Sequence, residues 1–195
     1  MTTISLPSFY EDPTTDNGKE TMLDYNLNWL LNCANPKYAQ ANVKIHTYAR
    51  NFVLALIYGK PSKDGYNLNL EAYNDYQVKS VNTWRQWNQI DLIAEIEIQS
   101  SNALHRFVVV IENKMYTTMS NGQLEKYKTI VNDFYKDKDY EPVFLFIKAE
   151  EVNDDEIEKC VECQYKWMTF YDIIDCSQIE ETGNYLFDEF WIRYW

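Results

Sequence analysis

Apolar residues recur along this chain with two spacings, and the switches between them set the expected elements. Lys19–Asn32 carries Leu23, Leu27, Leu30 and Leu31 at the helical spacing of one buried face. Lys44–Tyr58 repeats that pattern with Ile45, Tyr48, Phe52, Leu56 and Ile57, and Gly59-Lys60-Pro61 predicts its end. Ser62–Leu70 reads as a loop. Strand patterns follow at Glu71–Trp84, Trp87–Ile98 and Phe107–Lys114, the last two joined by the polar segment Gln99–Arg106 with its turn-prone Ser100-Ser101-Asn102. Gln123–Asp137 returns to helical spacing, with Leu124, Tyr127, Ile130, Val131 and Phe134 as a stripe. Val143–Ile147 is a short, wholly apolar run, as expected of a strand buried on both faces. Asp154–Glu162 is an acidic helix, Lys166–Thr169 a short strand, Tyr171–Cys176 a helical turn and Asn184–Trp195 a final helix. The expected order is α-α-β-β-β-α-β-α-β-α, an α/β fold with a mixed sheet core flanked by helices. A strand, a helix and a further strand at Phe107–Ile147 make a βαβ unit, so those two strands should run parallel.

Two charged positions break this pattern. Phe107–Ile111 is apolar and mostly β-branched, yet Glu112 and Lys114 follow with no turn residue between. Residues two apart on a strand project to the same face, so this carboxylate and this ammonium leave a core strand together. Buried charge is costly unless it is paired or holds a metal. Asp91, between Ile90 and Leu92 on the preceding strand, is a second carboxylate within an apolar run. It lies 21 residues before Glu112, a spacing that lets two antiparallel strands bring Asp91, Glu112 and Lys114 together.

Composition narrows the class. A chain of 195 residues is long enough for one domain with a real core. Residues 1–18 form a polar leader with Pro7, Pro13 and Gly18, and residues 19–195 read as a single domain. No apolar run approaches the roughly 20 residues that span a bilayer. The first residues lack the basic start and apolar stretch of a secretory signal. A cytoplasmic protein with no membrane partner is expected. Cys160-Val161-Glu162-Cys163 is a lone CxxC, and its cysteines are expected to be ordinary reduced thiols. The net charge of −12 speaks against strong non-specific binding to duplex nucleic acid. Much of the acid, however, lies in Glu150–Glu162, away from the charged strand ends.

The combination of Asp91, the Ile111-Glu112-Asn113-Lys114 strand end and the following Gln123-Leu124-Glu125-Lys126-Tyr127 resembles the PD-(D/E)XK nuclease superfamily. Gln123 and Tyr127 match the QxxxY element of its RecB-like branch, and Glu20–Asn32 resembles the first helix of that branch, with His46 and Phe52 after it. Ile90 stands where the superfamily's name has a proline. The resemblance implies the restriction-endonuclease-like core and a site in which Asp91, Glu112 and the backbone carbonyl of Asn113 hold Mg²⁺, with Mn²⁺ able to replace it. Glu20 would complete the metal shell, with Asp24 one turn later as its competitor. Lys114 would orient a water or hold the scissile phosphate, and Gln123 and Tyr127 would line the site. The implied activity is divalent-metal-dependent hydrolysis of phosphodiester bonds, with DNA as the expected substrate. Defence against foreign DNA is among the roles compatible with it, and a protein partner or a homo-oligomer is open. A catalytically inactive nuclease-fold module that binds a protein or nucleic acid is the alternative.

Overall fold

The computed structural model describes residues 19–62, 65–175 and 180–193, with Lys19 and Glu20 described by their backbone alone. The expected leader at 1–18 lies outside the described residues. Helices α1 (Lys19–Cys33) and α2 (Val43–Tyr58) come first, followed by a small hairpin of β1 (Lys60–Ser62) and β2 (Gly65–Asn67). Strands β3 (Gln77–Trp87), β4 (Ile90–Gln99) and β5 (Leu104–Lys114) form an antiparallel meander. Helix α3 (Gln123–Tyr135) then crosses to β6 (Glu141–Lys148), and α4 (Asp154–Cys163) to β7 (Lys166–Thr169). Helices α5 (Phe170–Asp175) and α6 (Tyr185–Asp188) finish the order, α6 continuing into a wider turn at Glu189–Arg193.

The five-stranded sheet runs β3-β4-β5-β6-β7, with β5, β6 and β7 parallel. This is the mixed α/β architecture expected from the pattern. Alternation along β5 divides the core. Val109 and Ile111 join Leu23, Leu27, Leu30 and Leu31 of α1 and the inner face of α2 on one side of the sheet. Val108 and Val110 join Leu124, Tyr127 and Val131 of α3 with Cys160 and Cys163 of α4 on the other. The α1 stripe is wholly excluded from solvent. Each such leucine contributes roughly 1.5–3 kcal/mol of transfer free energy.

Several expectations are corrected. The strand expected at Glu71–Trp84 begins only at Gln77, because Asn69 accepts from Glu71 N–H and starts a 3₁₀ turn over Leu70–Tyr73. The expected loop after α2 contains the β1–β2 hairpin. Gly59 ends α2 at a φ of −67°, without the left-handed turn typical of a C-terminal glycine. Glycine is needed there because a Cβ would collide with the Tyr66 ring packed on the helix end. On α3, Phe134 is exposed and Tyr135 turns inward instead, donating from its hydroxyl to Glu95 Oε1 at 2.9 Å. The last helix is α-helical only over Tyr185–Asp188 and widens into a π-helix over Glu189–Arg193. Asn184 caps it by accepting from Phe187 N–H at 3.0 Å, and Trp191 stacks on Phe170 with ring centroids 5.5 Å apart. Trp195 lies outside the described residues. No helix among the described residues is long and apolar enough to cross a membrane.

Candidate active site

The charged strand ends meet at one end of the sheet. The β4–β5 ladder closes at Leu92 opposite Ile111, and Asp91 and Glu112 occupy the next step. Asp91 Oδ2 accepts from the backbone N–H of Asn113 at 3.1 Å, which ties its carboxylate to the end of β5. Its other oxygen accepts from Gln86 Nε2 at 3.3 Å. The turn carrying these groups is tight. Asn88 and Gln89, between the paired Trp87 and Ile90, have φ of 52° and 71°, the left-handed values that a two-residue I′ hairpin requires. Gln86 is left-handed as well, at 57°. Such conformations cost non-glycine residues roughly 1–2 kcal/mol each. Strain of this kind persists only where surrounding contacts fix it.

Glu112 faces α3 and is 0% exposed. Its Oε1 accepts from Lys114 Nζ at 2.5 Å and from Gln123 Nε2 at 2.6 Å. Gln123 Nε2 also donates to the Tyr127 hydroxyl at 3.1 Å, and that hydroxyl donates to the backbone carbonyl of Gln89 at 2.7 Å. Residues four apart on α3 thus span from the carboxylate of β5 to the strained turn before β4. Gly122, left-handed at a φ of 73°, lets the chain enter α3 at the angle that sets Gln123 over Glu112.

On the opposite face of the sheet, α1 contributes Asp24, which is 4% exposed. Its Oδ1 accepts a short hydrogen bond from Asn113 Nδ2. Burial, then the charge of Asp91, push the Asp24 carboxyl up to about 6. Glu112 rises to about 7 for the same two reasons in the same order, and Lys114 only partly offsets them. Asp91 therefore couples electrostatically to a carboxylate on each side of the sheet.

The structure brings Asp91, Glu112, Asn113, Lys114, Gln123 and Tyr127 together. Glu20 lies in the first turn of α1, and its side chain lies outside the described residues. His46 stands apart, with Nδ1 2.9 Å from the carbonyl of Cys33 at the end of α1. In the sequence Asp24 stands out only as the competitor of Glu20, one turn later on the same helix. Gln86 and Gln89 had no comparable signal, since their part depends on the turn geometry.

Two observations bear on a bound cation. Glu112 Oε2 and Asn113 Oδ1 are buried oxygens with no hydrogen-bond partner, and an orphaned buried acceptor is costly unless something fills it. The donor set is oxygen throughout, which suits a hard ion such as Mg²⁺, commonly held by one or two carboxylates with waters completing the shell. In these side-chain positions, no three or more His, Cys, Asp and Glu groups stand close enough to hold an ion among the described residues. The residues fit a site of the two-carboxylate kind rather than a closed protein cage.

Two solved structures are similar to the chain at low identity. One is the MspJI restriction endonuclease in complex with a 27-mer oligonucleotide, at 13% identity and a TM-score of 0.30, covering 87% of this chain and 32% of that one. The other is the DNA modification-dependent restriction endonuclease AspBHI, at 12% identity and a TM-score of 0.32, covering 87% and 37%. The chain thus spans about a third of the length of each. No curated protein matches it. Residues 19–189 match the family model of the PD-(D/E)XK nuclease superfamily, and the chain belongs to that superfamily.

Proposed function

We propose, from membership of the PD-(D/E)XK nuclease superfamily, that the chain hydrolyses phosphodiester bonds in DNA with a divalent metal ion, Mg²⁺ or Mn²⁺. The observation that carries this reading is the fully buried Glu112 carboxylate. It is joined on one oxygen to Lys114 and Gln123, left without a partner on the other, and set opposite Asp91 at the step after the last ladder pair. A purely structural ion pair between Glu112 and Lys114 would need neither Asp91 nor an empty acceptor.

Asp91, Glu112 and the carbonyl of Asn113 would hold the ion, with an acid of α1, Glu20 or Asp24, completing its shell. When bound, the ion lowers the pKa of a coordinated water and neutralises charge on a phosphoryl oxygen. Lys114 is a compact cation that can hold the attacking water or the scissile phosphate. Gln123 fixes the Glu112 carboxylate, and Tyr127 fixes Gln123 against the turn that carries Asp91. Outer partners of this sort keep first-contact ligands in productive orientation. The Gln123–Tyr127 pair favours the RecB-like branch. We also propose that residues 19–195 act as one domain and that the protein works in the cytoplasm.

The acidic balance of the chain supports one competing reading, an inactive module that binds a partner. Calorimetric titration with Mn²⁺ separates the two. The wild type should bind Mn²⁺, and Glu112→Gln should lose that binding while keeping its fold by circular dichroism. No binding by the wild type would favour the inactive module.

A further inference from the structure

One cation beside the carboxylates has no place in the network so far described. Arg85 lies near the end of β3, paired in register with Leu92, so it shares the α1 face with Asp24 and Asn113. Its guanidinium carbon sits 3.5 Å from the centroid of the Tyr25 ring, a close stacking contact. Tyr25 follows Asp24 directly on α1, so the ring delivers the guanidinium to the rim of the carboxylate cluster. Its positive charge helps hold Asp24 ionised.

The guanidinium nevertheless makes no hydrogen bond among the described residues, and its Nε is buried without a partner. An arginine offers five donors in a rigid fork. Leaving a buried one unfilled is costly, and the Asp24 carboxylate, close enough to feel the Arg85 charge, accepts from Asn113 instead. A preorganised donor fork with no internal acceptor, at the rim of a site built around phosphodiester chemistry, suits an anion that accepts through two oxygens.

We infer that Arg85, braced by Tyr25, binds a phosphate group of the nucleic-acid strand that lies across the carboxylates. The inference rests on the nuclease reading above. It also answers a difficulty of that reading, because a chain of net charge −12 needs a local cation to bring a polyanion to an acidic site. A structural role for Arg85, holding Asp24 ionised and nothing more, predicts a different set of outcomes.

The test uses the full chain, a fluorescent single-stranded deoxyoligonucleotide and Ca²⁺ in place of Mg²⁺ to limit turnover. Affinity is measured across a salt series for the wild type, Arg85→Ala, Arg85→Lys and Tyr25→Ala. Arg85→Ala should weaken binding about tenfold and lower the slope of log K against log salt by about one. Arg85→Lys should keep most of the salt slope but lose affinity, since it retains the charge without the fork. Tyr25→Ala should fall between the wild type and Arg85→Ala. At pH 8, where Asp24 is ionised without help from Arg85, Mn²⁺ binding by Arg85→Ala without oligonucleotide should stay at the wild-type level. An unchanged affinity and slope in Arg85→Ala would overturn the inference alone. So would a loss of oligonucleotide binding matched by an equal loss of Mn²⁺ binding, the mark of a structural role. A wild type that binds Mn²⁺ but no oligonucleotide would overturn the inference together with the nucleic-acid reading.

Discussion

Glu112 concentrates the physical questions of this protein in a few atoms. It is buried, and its carboxyl titrates near 7 against an ordinary value of 4.5. Asp24 titrates near 6 against 3.8. In both, burial is the larger cause and the charge of Asp91 the second. Between the ordinary and the raised values the folded protein holds more protons than the unfolded chain. Metal-free stability should therefore fall as pH rises through that window. A cation must displace those protons, so Mn²⁺ affinity should rise between about pH 5.5 and about pH 8, as calorimetric titrations at both would show. Gln123→Ala should remove the 2.6 Å donor that fixes Glu112. Its expected effect on metal affinity or activity is a loss of about 10- to 100-fold, measured with circular dichroism as a control for folding. Tyr127→Phe should act in the same direction by releasing the Gln89 carbonyl. Asp91, Glu112 and Lys114 were legible because charge interrupts apolar strand patterns, and that anomaly survives without any structure. Asp24 was legible only as a rival to Glu20. Arg85 was not, since its significance comes from a cross-strand register and a ring on another element.

Among the elements, those with strong periodicity were readable in sequence. Strand β5, helix α3 and strand β6 fall close to their expected bounds because each buries one continuous apolar face or two. The segments that depart from their apolar pattern are those decided by local hydrogen bonds or by contacts across the fold. Asn69 diverts the start of β3, and Tyr66 packing on Gly59 makes the β1–β2 hairpin part of the fold. Helix α4 shows how an element is locked beside the site. Lys148, the β6 neighbour of Lys114 in register, donates to both oxygens of Glu156 at 2.9 and 2.7 Å. Glu156 also completes a capping box with Asn153 at the start of α4. Both members of the pair are buried. Glu156→Ala should cost about 3–5 kcal/mol in chemical denaturation by stranding the Lys148 ammonium. A double change, Lys148→Met with Glu156→Leu, should recover much of that loss, because the stranded charge goes with its partner. Removal of a leucine from α1 gives a scale for comparison. Leu27→Ala, in a side chain with no exposure, should cost about 2–5 kcal/mol.

For the molecule as a whole, fold and charge pull in different directions. The mixed sheet carries a carboxylate pair at one end, with α1 closing the site from one face and α3 from the other. Yet the net charge is −12, and nucleic acid is a polyanion. Binding should therefore be weak, should depend on a divalent ion as well as on the few cations at the rim, and should fall with salt only by the shallow slope that so few phosphate contacts give. The composition conveyed that weakness. It did not convey that the acid is partly neutralised where it matters, since Lys114 and Arg85 meet the carboxylates only once the sheet is assembled. Metal-dependent cleavage is the most direct test of the central claim. Purified wild-type protein should cut single- or double-stranded DNA with Mg²⁺ or Mn²⁺, lose that activity in a chelator, and lose it in Asp91→Asn and Lys114→Ala variants that remain folded. A folded wild-type protein that binds Mn²⁺ but leaves DNA and RNA intact, single- and double-stranded, would contradict it.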